Sequence, residues 1–232
     1  MFKLFTFFAF ILLSIQVHAD DETSLRLLIW KNYFPGELIE AFESEYNVNI
    51  EQVFYETDEL KDEILINTNG GEGLDVVIGS RVSFEEYAKQ GWLMKYKPGA
   101  IPNIANIDQH WLPKGNLADY SLPYLWGTIG IAYRTDKVGR PFNSWSDLFQ
   151  PTENMKQRVM MINDSRETIG LALKSLGYSV NSNDNKELQA AEQLLKAQRP
   201  YVLSYSYTKL DKTASLARGN IWAAMVYNGD GI

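Results

Sequence analysis

SLRLLIWKNYFPGELIEAFESEYNVNIEQVFY, residues 24–55, decides the fold. Ser24 to Trp30 is an apolar run of strand length. Pro35-Gly36 breaks it. From Gly36 to Tyr46 the apolar residues Leu38, Ile39, Phe42 and Tyr46 fall at helical spacing, and Val48 to Tyr55 alternates like a second strand. A strand, a helix and a strand in so short a span predict a parallel α/β unit. The unit continues outward. Thr57 is placed to cap a helix carrying Leu60, Ile64 and Leu65, which Asn69-Gly70-Gly71 ends. LDVVI, residues 74–78, is a short strand closed by Gly79-Ser80, and Ser83 to Lys89 reads as helix.

The stretch from Leu93 to Leu117 is loop-rich, with Pro98, Pro102 and Pro113. SLPYLWGTIGIAYRTD, residues 121–136, then reads as a crossing from one lobe to another, its strand running from Gly127 to Tyr133. The second part repeats the logic. Ser144 is placed to cap the short helix WSDLF. Arg158 to Ile162, Tyr201 to Tyr205 and Ile221 to Tyr227 read as strands. Ser165 to Leu176, Lys186 to Ala197 and Asp211 to Ala217 read as helices. The fold class is α/β, with a first lobe over residues 20–133 and a second over residues 134–232.

Residues 1–19 are set apart. A basic start at Lys3, an apolar core from Leu4 to Ile15 and small residues at Val17-His18-Ala19 form a cleavable signal peptide, with cleavage near Ala19-Asp20. The whole chain carries a net charge of -7, and loss of Lys3 makes it -8. An acidic chain without a basic tract speaks against nucleic acid and anionic membrane as partners. No later stretch is long and apolar enough to be membrane-embedded. With no cysteine, an exported chain relies on its core rather than on disulfides.

Four places put polar or aromatic groups just past the C-terminal end of a strand, where open α/β sheets bind ligands. They hold Trp30, Asn32 and Tyr33; Ser80; Asp164 and Glu167; and Tyr227 and Asp230. Each also has a structural reading. Trp30 and Tyr33 suit a core rim, Gly79-Ser80 a turn, Asp164 and Glu167 a capping pair, and Asn228-Gly229 a turn dipeptide. As a set they form an aromatic box with acidic ends. Aromatic faces attract ammonium groups, and the carboxylates supply charge-assisted acceptors, so the set suits a linear polyamine. No catalytic residues, metal ligands or cofactor motif emerge: His110 lies in a loop without a partner motif, and no Gly-rich phosphate cradle is present. The rival from the enzyme class is a secreted hydrolase using Asp164 and Glu167, which share one helix start rather than facing each other across a cleft.

LIWKNYFP, LDVVIGS, YSLPYLWGTIGIAY, SWSDLF and NDSRETIGLALKSLGYS, taken in this order, resemble the spermidine/putrescine-binding proteins of bacterial polyamine ABC transporters. The resemblance runs from about Leu27 to Gly229. It implies a two-lobed type II periplasmic binding fold that closes on a polyamine and presents it to a membrane permease, in the periplasm and without a cofactor. Trp30 and Tyr33 would stack along the methylene chain, Ser80 would bond an amine, Asp164 and Glu167 would meet ammonium groups, and Tyr227 and Asp230 would add a wall and an acid. Lys31 and Val82 depart from the pattern and put the particular amine in doubt. The family's chain continues beyond Gly231, so the resemblance also implies a C-terminally truncated chain. A truncated, non-binding product of the same family is thus a second alternative.

Overall fold

A computed structural model describes residues 23–97, 99–207 and 210–231, with backbone alone at Asp230 and Gly231. The leader expected over residues 1–19 lies outside them, as does the Asp230 side chain.

The opening stretch folds as expected: β1 Thr23–Trp30, α1 Gly36–Tyr46 and β2 Val48–Tyr55, followed by α2 Asp58–Asn67, β3 Val76–Val77 and α3 Arg81–Lys89. The first sheet has the order β2-β1-β3 and is parallel throughout. β1 is its centre, with Leu27, Leu28 and Ile29 buried. Leu28 packs with Tyr55, with Leu65 from α2 and with Tyr87 from α3. The strand expected over residues 74–78 contracts to Val76–Val77, although Asp75 and Ile78 extend the ladder by donating to the carbonyls of Arg26 and Leu28.

Thr57 caps α2 as its sequence position requires, its Oγ1 accepting from the Leu60 amide at 3.3 Å. Thr57→Ala is expected to cost about 1 kcal/mol, a fall in melting temperature of roughly 2–4 °C followed by circular dichroism. An unchanged melting temperature would show that the hydroxyl does not hold this helix start.

Two faces differ from expectation. α1 has no buried residue, and Leu38, Phe42 and Tyr46 of its apolar stripe are exposed. Phe42 and Tyr46 instead pack on each other, ring centroids 4.5 Å apart. α2 turns Asp58, Lys61 and Leu65 inward and leaves Leu60 exposed, so its buried face carries charge.

The second sheet holds β4 Ile129–Tyr133, β5 Val159–Met161, β6 Val202–Tyr205 and β7 Ala223–Tyr227, in the order β4-β7-β5-β6. β4 runs antiparallel to β7, and the other pairs are parallel. β4 therefore already belongs to the second sheet. Around this sheet lie α4 Thr135–Val138, α5 Ser146–Phe149, α6 Ser165–Ser175 and α7 Asn185–Gln198. One face buries Leu148, Phe149, Met161, Leu173 and Ala191, and the other buries Met160, Ile221, Ala224 and Val226. The helix expected over residues 211–217 is a run of turns. The Asp211 carboxylate accepts from the amide and hydroxyl of Thr213 at 2.7 and 2.6 Å, and such a local bond offers the backbone an alternative to helix. At α5 the carboxylate of Asp147, not the Ser144 hydroxyl, accepts the amides of Asn143 and Ser144.

Candidate functional site

The C-terminal ends of β1, β3, β5 and β7 carry the expected residues. After β1, Asn32 adopts a left-handed conformation at φ 67°, which asparagine tolerates better than most residues. The turn brings Tyr33 back beside Trp30, with ring centroids 4.9 Å apart, and Trp30 also packs on Tyr55 at 5.1 Å. Asn32 itself is exposed, and the role the structure gives it is this turn. The crossing segment clamps the loop: the Tyr124 hydroxyl donates to the Tyr33 carbonyl at 2.8 Å, and its ring packs on Phe34. Asn228, just past β7, pins the same segment by accepting from the Thr128 amide and donating its own amide to the Thr128 carbonyl. A Cβ on Gly127 would lie 2.6 Å from the Asn228 Oδ1, so this approach needs glycine.

After β3, Ser80 leads into α3, and its hydroxyl donates to Asp58 Oδ2. The hydroxyl hydrogen is thus spent on Asp58, while its lone pairs stay able to accept. After β5, Asp164 caps α6 by accepting from the Glu167 amide at 3.0 Å, so the capping reading holds. Both carboxylates are half-buried, and both are raised above the ordinary carboxylate range. For Asp164, burial leads, with the charges of Asp58 and Glu59 adding to it. For Glu167, burial leads again, then the charges of Asp164 and Asp58, against a hydrogen bond from Tyr227 that works the other way. Tyr227 also lies near Tyr207, ring centroids 6.1 Å apart and nearly parallel. Burial, followed by the Glu167 charge, holds the Tyr227 hydroxyl well above its ordinary range, and Tyr33 also contributes. Tyr33 and Asp58 from the first half therefore share an electrostatic environment with Asp164, Glu167 and Tyr227 from the second. Lys31 is exposed and Val82 is 66% exposed.

A charged bridge between the halves went unread in the sequence. Arg166, the middle of the D-x-R-E stretch, donates across to Asp58 Oδ2 at 3.1 Å, Asp62 Oδ2 at 3.1 Å and Ser83 Oγ at 3.0 Å. Ser165 donates to Glu59. Beneath the bridge lies Lys61, fully buried, with its Nζ 2.8 Å from Asp58 Oδ1. The signal was the spacing of Asp58, Lys61 and Leu65, which places two charges on the face that Leu65 buries.

A model of bacterial extracellular solute-binding proteins matches residues 37–231. The chain belongs to this family. Similar proteins include a putrescine-binding periplasmic protein of Pseudomonas aeruginosa, 31% identical over 93% of this chain and 61% of that protein. Another is a spermidine/putrescine-binding periplasmic protein of Escherichia coli, 32% identical over 91% of this chain and 60% of that protein. The chain thus spans about three-fifths of the length of these relatives. Among solved structures, a lipoprotein of Treponema pallidum superposes with a TM-score of 0.74 at 29% identity, covering 90% of this chain and 65% of that one. A spermidine/putrescine ABC transporter substrate-binding protein of Streptococcus pneumoniae gives 0.67 at 25%, covering 90% and 64%. The two-sheet architecture is the α/β fold of type II periplasmic binding proteins, as the resemblance implied.

Proposed function

We propose that the chain binds a polyamine cation of the putrescine/spermidine class between its halves, as the substrate-binding part of an ABC importer. It is exported through the leader at residues 1–19, works in the periplasm, and closes by hinge bending to present its ligand to a membrane permease. The observation that carries this reading is the pair Asp164 and Glu167, half-buried beside Tyr227. Ionised carboxylates in such a place lack solvation, and an ammonium group would restore it. Trp30 and Tyr33 supply aromatic surface for the methylene chain and the cation. The similarity to putrescine-binding and spermidine/putrescine-binding periplasmic proteins supports the same class. The hydrolase reading gains nothing, because Asp164 serves as the cap of the helix that carries Glu167.

The test is a thermal melt of residues 20–232 with and without putrescine and spermidine. At about a hundred times Kd, one bound amine adds about 2.7 kcal/mol of stability. The shift should shrink as pH falls, because Asp164 and Glu167 take up protons at higher pH than ordinary carboxylates and then no longer attract a cation. A cooperative melt indifferent to both amines would overturn the proposal.

A further inference from the structure

The first half already holds an ammonium group of its own. Lys61 Nζ sits 5.7 Å from the ring centroid of Tyr87 and 5.9 Å from those of Tyr55 and Phe84. Asp58 lies at 2.8 Å, Asp62 at 3.6 Å and the Ser83 hydroxyl at 3.4 Å. Three aromatic rings and two carboxylates around a desolvated cation are what a site for an alkylammonium needs. The lysine stem is the alkyl chain, and it is fully buried. The cage adjoins the candidate site residues. Tyr55 packs its ring on Trp30, Ser80 donates to Asp58, and a Cβ on Gly79 would meet Lys61 Cδ at 2.9 Å and Nζ at 3.1 Å.

We propose that Lys61 is a built-in ammonium that fills the cation position at the Asp58 end of the cleft. The chain then holds an amine by one charged end, at Asp164 and Glu167, and prefers short monoamines and diamines to the longer spermidine. The balance of charge supports this. Lys61 and Arg166 meet Asp58 and Asp62, two cations with two anions, so no charge remains there for a ligand. Asp164 and Glu167 form no ion pair among the described residues. A second ligand ammonium driven toward Asp58 would meet the Lys61 charge and a filled cage. The cage claim stands on Lys61 alone, while the length preference rests on the amine-binding reading above.

Two readouts separate these claims. Lys61→Ala empties the cage, and millimolar n-butylammonium should then refill it, raising the melting temperature of the variant by roughly 3–6 °C more than it raises that of the parent. For length preference, the ratio of the spermidine Kd to the putrescine Kd, measured by calorimetry, should fall about tenfold in Lys61→Met, since the cage becomes free to take a ligand ammonium. Lys61→Met keeps the buried stem and vacates only the ammonium position, so methylammonium takes the place of n-butylammonium there if the alanine variant does not fold. A folded variant that butylammonium stabilises no more than it does the parent would overturn the proposal even where putrescine still shifts the parent. An unchanged ratio would overturn the length preference. Rescue intact with a parent that binds neither amine would sink the cleft reading and the length preference together, and leave the cage a structural device.

Discussion

Glu167→Gln is expected to weaken amine binding roughly 30- to 1000-fold, while the ligand-free chain melts roughly 2–4 °C higher. The loss follows from removing one partner of a desolvated charge pair, which costs about 2–4 kcal/mol. The gain follows from the raised carboxyl. Burial first, then the charges of Asp164 and Asp58, make the folded chain hold the Glu167 proton more tightly than the unfolded chain does. That contribution to stability is complete below the ordinary glutamate range and is lost as pH rises through the raised value. Once ionised, the side chain is therefore a burden on the empty site. Glutamine removes the charge and keeps an acceptor for the Tyr227 hydroxyl. Calorimetric titration and a thermal melt at pH 7 check both halves. A variant that melts lower, or that binds amine as tightly as its parent, would refute the role given to Glu167.

Asp58→Ala is expected to cost roughly 3–5 kcal/mol of unfolding free energy, read from urea denaturation followed by circular dichroism. Asp58 is 5% exposed and accepts from Lys61, Ser80 and Arg166. Its loss leaves Lys61 buried, with Asp62 at 3.6 Å as its remaining carboxylate. Breaking a buried pair from one side leaves an uncompensated charge, which costs more than the pair ever contributed. Removing both partners avoids that, so Asp58→Ala combined with Lys61→Met should recover most of the loss. A double variant no more stable than the single would show that the damage comes from Ser80 and Arg166 instead.

The fold was largely legible because its elements announce themselves by period and punctuation. β1, α1 and β2 fall where apolar run, proline break and alternation put them. Asp211 to Ala217 misled, because its helical spacing competes with an aspartate that bonds its own turn. The stripe of α1 was read correctly as a helical face, but periodicity states which residues share a face and not what lies opposite. The candidate residues Trp30, Tyr33, Ser80, Asp164, Glu167 and Tyr227 are legible because ligand positions in α/β sheets follow from strand ends, and those ends can be read from the sequence. Asp58, Lys61 and Arg166 were missed for a physical reason. Charged residues on a helix are ordinarily solvated, and an i,i+3 pair such as Asp58 and Lys61 ordinarily faces water rather than a core. Arg166 lies more than a hundred positions from Asp58 and Asp62, and local pattern holds no trace of that meeting.

The Arg166 bridge ties the two halves through a side chain that is 41% exposed, against an Asp62 that is 30% exposed. Ion pairs that water can reach weaken as dissolved electrolyte shortens the range of charge, to about 8 Å at physiological ionic strength. The grip of one half on the other is therefore set partly by the medium. If the halves close on an amine as proposed, its dwell time should shorten as salt rises, with no change in any group that touches it.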